Sequence, residues 1–178
     1  RQFMVGKRFF RDEFGVDNKV MWLPDVFGYS AAIPQLIKKC GMKYFMTTKI
    51  SWNEYNKFPY DTFKWRGIDG TEVLSHFPPS CHATVNEREN WQTTYNSKLR
   101  PLYVIGGYKR YSQKDLGKDY LMSYGFGDGG GGPTIEMLEY GKRMSKGIQG
   151  CPVVKQSSSL DFFRNLEVPT STRIVDLP

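Results

Sequence analysis

The sequence predicts an α/β protein built on parallel strand–helix units, with a hairpin inserted among them. Three observations predict it. First, the apolar runs KVMWL (19–23) and KYFMTT (43–48) flank a helix-like stretch, giving a strand–turn–helix–strand unit of about 30 residues. Second, Asp69-Gly70 joins the strand-like runs FKWRGI (63–68) and TEVLSHF (71–77), a hairpin signal. Third, the apolar run KDYLMSYGFG (118–127) leads through a glycine-rich turn into another helix-like stretch.

Each element has a local reason. Residues 2–14 place Phe3, Phe10 and Phe14 at helix-compatible spacing with Lys7, Arg8, Arg11 and Asp12 between them, and Gly15 supplies the stop. The next strand is 19–23. A helix over 33–40 follows the turn PDVFGYS, with Pro34 in its first turn, Lys38 and Lys39 in its last and Gly41 beyond. Strand 43–48 and the 63–77 hairpin come next. Residues 78–115 are polar and give no periodic signal. A strand is expected over 118–126 and a helix over 133–146. In that helix Glu136 and Glu139 come early and Lys142, Arg143 and Lys146 late, in the order that suits the helix dipole. CPVVKQ (151–156) reads as a strand. SSSLDFFRNLE (157–167) reads as a helix with Ser159 as its cap, and 168–178 as loop or tail.

Charge and cysteine usage narrow the function classes. The net charge is +7, but the basic residues fall in short pairs such as Lys7-Arg8 and Lys38-Lys39. That is a solvated surface rather than a phosphate-tracking stripe, so no nucleic-acid partner is expected. No apolar stretch is long enough to span a membrane, so no membrane partner is expected either. Cys40, Cys81 and Cys151 are too far apart for a zinc knuckle or a disulfide framework, which favours a reducing, cytoplasmic setting. Many aromatic residues sit beside Gly, Pro, Asn and Asp, a composition that serves either an aromatic core or a cleft for sugars.

In parallel α/β folds, functional groups gather beyond the carboxyl ends of strands. Asp25, Lys49, His76 and Asp128 all occupy such positions. The loop YGFGDGGGGPT lacks the Gly-Lys-Ser/Thr ending of a phosphate-binding loop. Two carboxylates, Asp25 and Asp128, each in a tight turn after an apolar run, suggest glycoside hydrolysis.

The stretches WLPDVFGYSAAIPQLIKKCG, KYFMTTKISWN, NKFPYDTFKWRGIDGTEVLSHFPP and YGFGDGGGGPT, in that order, resemble family 38 glycoside hydrolases, the class II α-mannosidases, in their cytosolic, vacuolar and bacterial branch. The resemblance covers about residues 13–167. It implies that the chain is an internal fragment, with 1–167 forming part of the N-terminal catalytic domain, a seven-stranded, parallel, barrel-like α/β fold. It implies a retaining α-mannosidase that removes terminal α-linked mannose, with a mannose-containing oligosaccharide as its partner, and leaves room for a homo-oligomer of the full-length enzyme. Asp25 would be the nucleophile and a ligand of a divalent metal, usually Zn2+. Lys49 would line the site and Asp128 would be the acid/base. His76 matches a family position near the site, as a substrate contact or as a structural histidine; Trp52 and Asn53, just past Lys49, are candidates to touch the sugar, with core packing the alternative for Trp52. The family's other metal ligands lie in a His-x-Asp motif upstream and a histidine downstream, so they are expected outside this chain. A retaining mechanism implies carboxylates about 5–5.5 Å apart. The alternative is a non-catalytic glycan-binding or structural fragment.

Overall fold

The computed structural model describes residues 1–51, 55–56, 58–80, 95–128, 130–167 and 174–176. Its centre is a sheet in the order β1-β2-β4-β3-β5. The strands are β1 (Val20–Trp22), β2 (Tyr44–Met46), β3 (Thr62–Arg66), β4 (Glu72–His76) and β5 (Ile174–Asp176). β1, β2 and β4 run parallel; β3 is antiparallel to β4 and parallel to β5. This is the expected parallel core with an inserted hairpin. The hairpin turns at Gly70, whose φ of +81° suits glycine, and closes with the Gly67 N–H donating to the Thr71 carbonyl. Residues 174–176 were expected in a loop or tail and instead add the fifth strand.

Helices cover both faces. On one face, α1 (Gln2–Phe14) and α2 (Ile33–Lys39) contribute Phe3 and Ile37 to a core with Met21, Phe45, Phe63, Trp65 and Val73. On the other, α5 (Ser159–Leu166) sets Phe162, Phe163 and Leu166 against Tyr44 and Met46. β2 is therefore buried on both sides, which is why it reads as an unbroken apolar run. α1 ends at Gly15, in the left-handed region at φ +65°. Of its aromatic residues only Phe3 joins the sheet core. Phe9, Phe10 and Phe14 pack on one another at 5.7–5.9 Å and stay largely exposed.

The third layer departs from expectation. α3 (Pro101–Arg110) lies in the region with no periodic signal, because Pro101 and the Gly106-Gly107 pair mimic loop composition. Gly107 is required by packing: an added Cβ would come within 2.8 Å of the Tyr120 ring. Residues 118–126 form no strand. Their one ladder contact is a bridge from Tyr124 to Ser97. Residues 151–156 likewise contribute only a bridge between Cys151 and Ile148, while Cys151 and Val154 pack beside Leu99, Val104, Met137 and Met144. α4 (Ile135–Met144) is capped by Thr134, whose hydroxyl accepts from the Met137 N–H at 3.2 Å. α5 is capped by Ser158, one residue before the expected Ser159, because it is the Ser158 hydroxyl that accepts from Asp161 N–H. Among the described residues, no helix is long and apolar enough to cross a membrane.

Candidate active site

The register of the parallel strands sets the site. Trp22 pairs with Met46, and Met46 with His76, so β1, β2 and β4 end level. Asp25 and Lys49 each follow three residues past those ends and meet there. The Lys49 ammonium lies 2.7 Å from Asp25 Oδ1. Its side chain is almost wholly buried, at 4% exposure, whereas Asp25 is 45% exposed. The carboxylate thus faces outward over a cation fixed beneath it.

The turn that carries Asp25 is tied to the segment that carries Lys49. Leu23 N–H donates to the Met46 carbonyl at 3.0 Å, and the Thr48 hydroxyl donates to the Pro24 carbonyl at 2.6 Å. The Tyr29 hydroxyl donates to the Leu23 carbonyl at 2.9 Å and also meets the Thr47 hydroxyl, which accepts from Lys49 N–H. Gly28, at φ +129°, lets the chain reverse between Phe27 and Tyr29. The aromatic and glycine residues around Asp25 are therefore its scaffold, and Ser30 helps start the next helix by accepting from Ala32 N–H. Phe27, 76% exposed, stands over the Lys49 ammonium at 4.8 Å.

Asp128 enters from a different loop. It has φ +52°, unusual for a residue other than glycine, in a loop where Gly125, Gly130 and Gly131 also adopt positive φ. The Tyr95 hydroxyl donates to its Oδ1 at 2.6 Å, and the Asn96 amide donates to its Oδ2 at 3.3 Å. The Tyr95 ring lies 5.2 Å from the Lys49 ammonium, and its hydroxyl also reaches the Asp25 carboxylate. Asp25, Lys49, Tyr95 and Asp128 are thus one connected cluster.

The electrostatics follow from these contacts. The Lys49 hydrogen bond, more than any other influence, holds the Asp25 carboxyl below the usual carboxylate range. The Lys49 charge and the Tyr95 hydroxyl act in the same direction, against partial desolvation. The Asp128 hydrogen bond, desolvation and the two negative charges push the Tyr95 phenol well above its ordinary value. It stays protonated and remains a donor.

His76 was expected either to contact substrate or to be a structural histidine; it is fully buried at the end of β4, away from any substrate. Its Nδ1 bonds the Thr62 hydroxyl at 2.9 Å, Leu121 N–H donates to its Nε2 at 3.4 Å, and its ring packs against Phe162. Both ring nitrogens are engaged inside the fold, so the residue is structural. Burial pushes its pKa down to about 3, which keeps it neutral. Asp128 was expected just past a strand, and no strand precedes it. Trp52 and Asn53 lie outside the described residues. Tyr95, Asn96, Thr47 and Thr48 were not anticipated.

Among the described residues, no three His, Cys, Asp or Glu side chains gather as a metal cage. Asp25 offers one carboxylate, already engaged by Lys49, and His76 has no free nitrogen. These residues do not fit a metal by themselves.

A family model described as "Glycosyl hydrolases family 38 N-terminal domain" matches residues 1–175. The chain belongs to glycosyl hydrolase family 38. Within that family it is 42% identical over 167 residues to alpha-mannosidase G of Dictyostelium discoideum, covering 94% of this chain and 14% of that protein. It is 43% identical over 169 residues to alpha-mannosidase 2C1 of Mus musculus, covering 94% and 15%. Against an alpha-mannosidase of Saccharomyces cerevisiae it is 43% identical over 146 residues, covering 81% and 12%. The crystal structure of an alpha-mannosidase from Enterococcus faecalis V583 aligns with a TM-score of 0.65 at 12% identity, over 97% of this chain and 19% of that one. That likeness shows a shared fold. The chain spans about one-seventh of the length of the curated relatives it matches.

Proposed function

We propose that this chain carries the reacting carboxylates of a retaining α-mannosidase that hydrolyses terminal α-linked mannose in oligosaccharides. The observation that carries the reading is the outward-facing Asp25 carboxylate, held by the buried Lys49 ammonium where three parallel strands end. A nucleophilic carboxylate must be ionised, and Lys49 keeps it so.

Asp25 Oδ attacks the anomeric carbon from the face opposite the leaving group. The C1–O bond to the aglycone breaks while Asp128 delivers a proton to the departing oxygen, leaving a mannosyl ester on Asp25. Water then attacks C1, giving its proton to Asp128, and the ester bond breaks to free mannose and the Asp25 carboxylate. The shared contact with the Tyr95 hydroxyl supports this pairing. The exposed Phe27 ring offers an apolar face for the sugar.

A divalent cation, with Zn2+ as the first candidate, belongs to the proposal as a ligand of Asp25. Its remaining ligands would come from outside this chain, and no step above is drawn through it. Cys40 and Cys151 are free thiols, in keeping with a cytoplasmic location.

Turnover of p-nitrophenyl α-mannoside by the full-length protein tests the reading. Asp25→Ala is expected to lower kcat by at least about 10³-fold, and chelation to abolish activity until metal is restored. Asp25→Ala with unchanged kcat contradicts the proposal.

A further inference from the structure

The Asp128 side chain lies exposed on its loop. Asp128 itself is at φ +52°, and Gly125, Gly130 and Gly131 also adopt positive φ. A carboxylate on such a backbone is aimed only by what grips its oxygens. Here one dipeptide grips both: the Tyr95 hydroxyl at 2.6 Å on Oδ1 and the Asn96 amide at 3.3 Å on Oδ2.

The grip is itself anchored. Ser97, buried at the end of this segment, donates from its N–H to the Ser123 carbonyl at 3.1 Å and accepts from Gly125 N–H at 3.0 Å. These two bonds lock residues 95–97 alongside the start of the Asp128 loop. Gly127 completes the fit. A Cβ there would stand 2.9 Å from Asn96 Cβ, so the missing side chain is what lets Asn96 lie against the loop. On its other side, the Tyr95 ring sits 5.2 Å from the Lys49 ammonium that holds Asp25. The two carboxylates arrive on unrelated loops, yet both are referenced to Tyr95.

We propose that Tyr95 and Asn96 are positioning residues that clamp the Asp128 carboxyl and aim it at the oxygen of the leaving group. The proposal rests on the mannosidase reading above and adds the device that sets Asp128 relative to Asp25. A general acid works only within hydrogen-bond reach of the oxygen it protonates, so loosening the clamp weakens proton delivery more than attack by Asp25.

The test separates those two steps. In the full-length protein, kcat/KM is measured for phenyl α-mannoside, whose leaving group needs a proton, and for 2,4-dinitrophenyl α-mannoside, whose leaving group departs without one. Tyr95→Phe keeps the ring beside Lys49 and deletes only the hydroxyl. It is expected to lower kcat/KM about 10- to 100-fold on the phenyl substrate and less than about threefold on the dinitrophenyl one. Asn96→Ala is expected to show the same bias and serves if Tyr95→Phe fails to fold, as judged by its thermal midpoint. Equal losses on both substrates, or no loss on either, overturn the clamp while leaving the mannosidase reading intact. A wild-type protein that cleaves neither substrate overturns that reading, and the clamp with it.

Discussion

The Lys49 ammonium lies 2.7 Å from Asp25 Oδ1, and the two partners differ tenfold in exposure, 4% against 45%. The pair is therefore asymmetric. Lys49 reaches it from inside the fold, and Asp25 is the partner that water reaches. Removing either partner has different consequences.

Asp25→Ala leaves a buried ammonium without its carboxylate, whereas Lys49→Met leaves a carboxylate that water can still solvate. Asp25→Ala is expected to lower the thermal midpoint more than Lys49→Met, and the double variant to recover most of the loss. Thermal melts of the three variants check this. An equal drop for both single variants would show that the ammonium is not held by burial.

Acid should weaken the fold through His76. An unfolded histidine titrates near 6.5, and His76 in the fold near 3. Between those values the unfolded chain takes up a proton that the native protein refuses. Stability is then complete above about pH 6.5 and falls as pH drops, with a slope approaching about 1.4 kcal/mol per pH unit. Denaturant melts between pH 5 and 6.5 should show this slope, and His76→Gln should flatten it. Identical slopes in both proteins would place the titration elsewhere.

Gly127→Ala should push Asn96 aside and cost about 1–3 kcal/mol. Gly132 makes the internal control. A Cβ there meets nothing within 4 Å, so Gly132→Ala should change stability by no more than about 0.5 kcal/mol. Urea unfolding of the two variants distinguishes a specific contact at Gly127 from a general intolerance of this loop to side chains.

Much of this was legible in the sequence where local chemistry fixes the backbone. Gly15 and Gly41 end helices, Asp69-Gly70 turns a hairpin, and the apolar YFM of β2 declares a strand covered on both faces. Asp25 and Lys49 could be placed because the strands that carry them end in register. Tyr95 and Asn96 could not. Their side chains touch Asp128 across more than thirty residues, in a segment aligned by a pair of backbone hydrogen bonds at Ser97 that leave no periodic pattern. Residues 118–126 carry strand-like apolar side chains, but these fill the core beside α3 and α5 rather than join a ladder. His76 could be read either way for a related reason: strand position put it level with the site, while alternation along β4 turned it with Leu74 toward α5.

The claim that Asp25 is the nucleophile is tested most directly by trapping the ester it forms. A fluorinated mannosyl fluoride, which forms the intermediate faster than water releases it, is incubated with the full-length protein, and the labelled peptide is sequenced by mass spectrometry. The predicted result is one fluoromannosyl group on Asp25 within WLPDVFGYS, absent from Asp25→Ala. A label on Asp128 or any other carboxylate would contradict it.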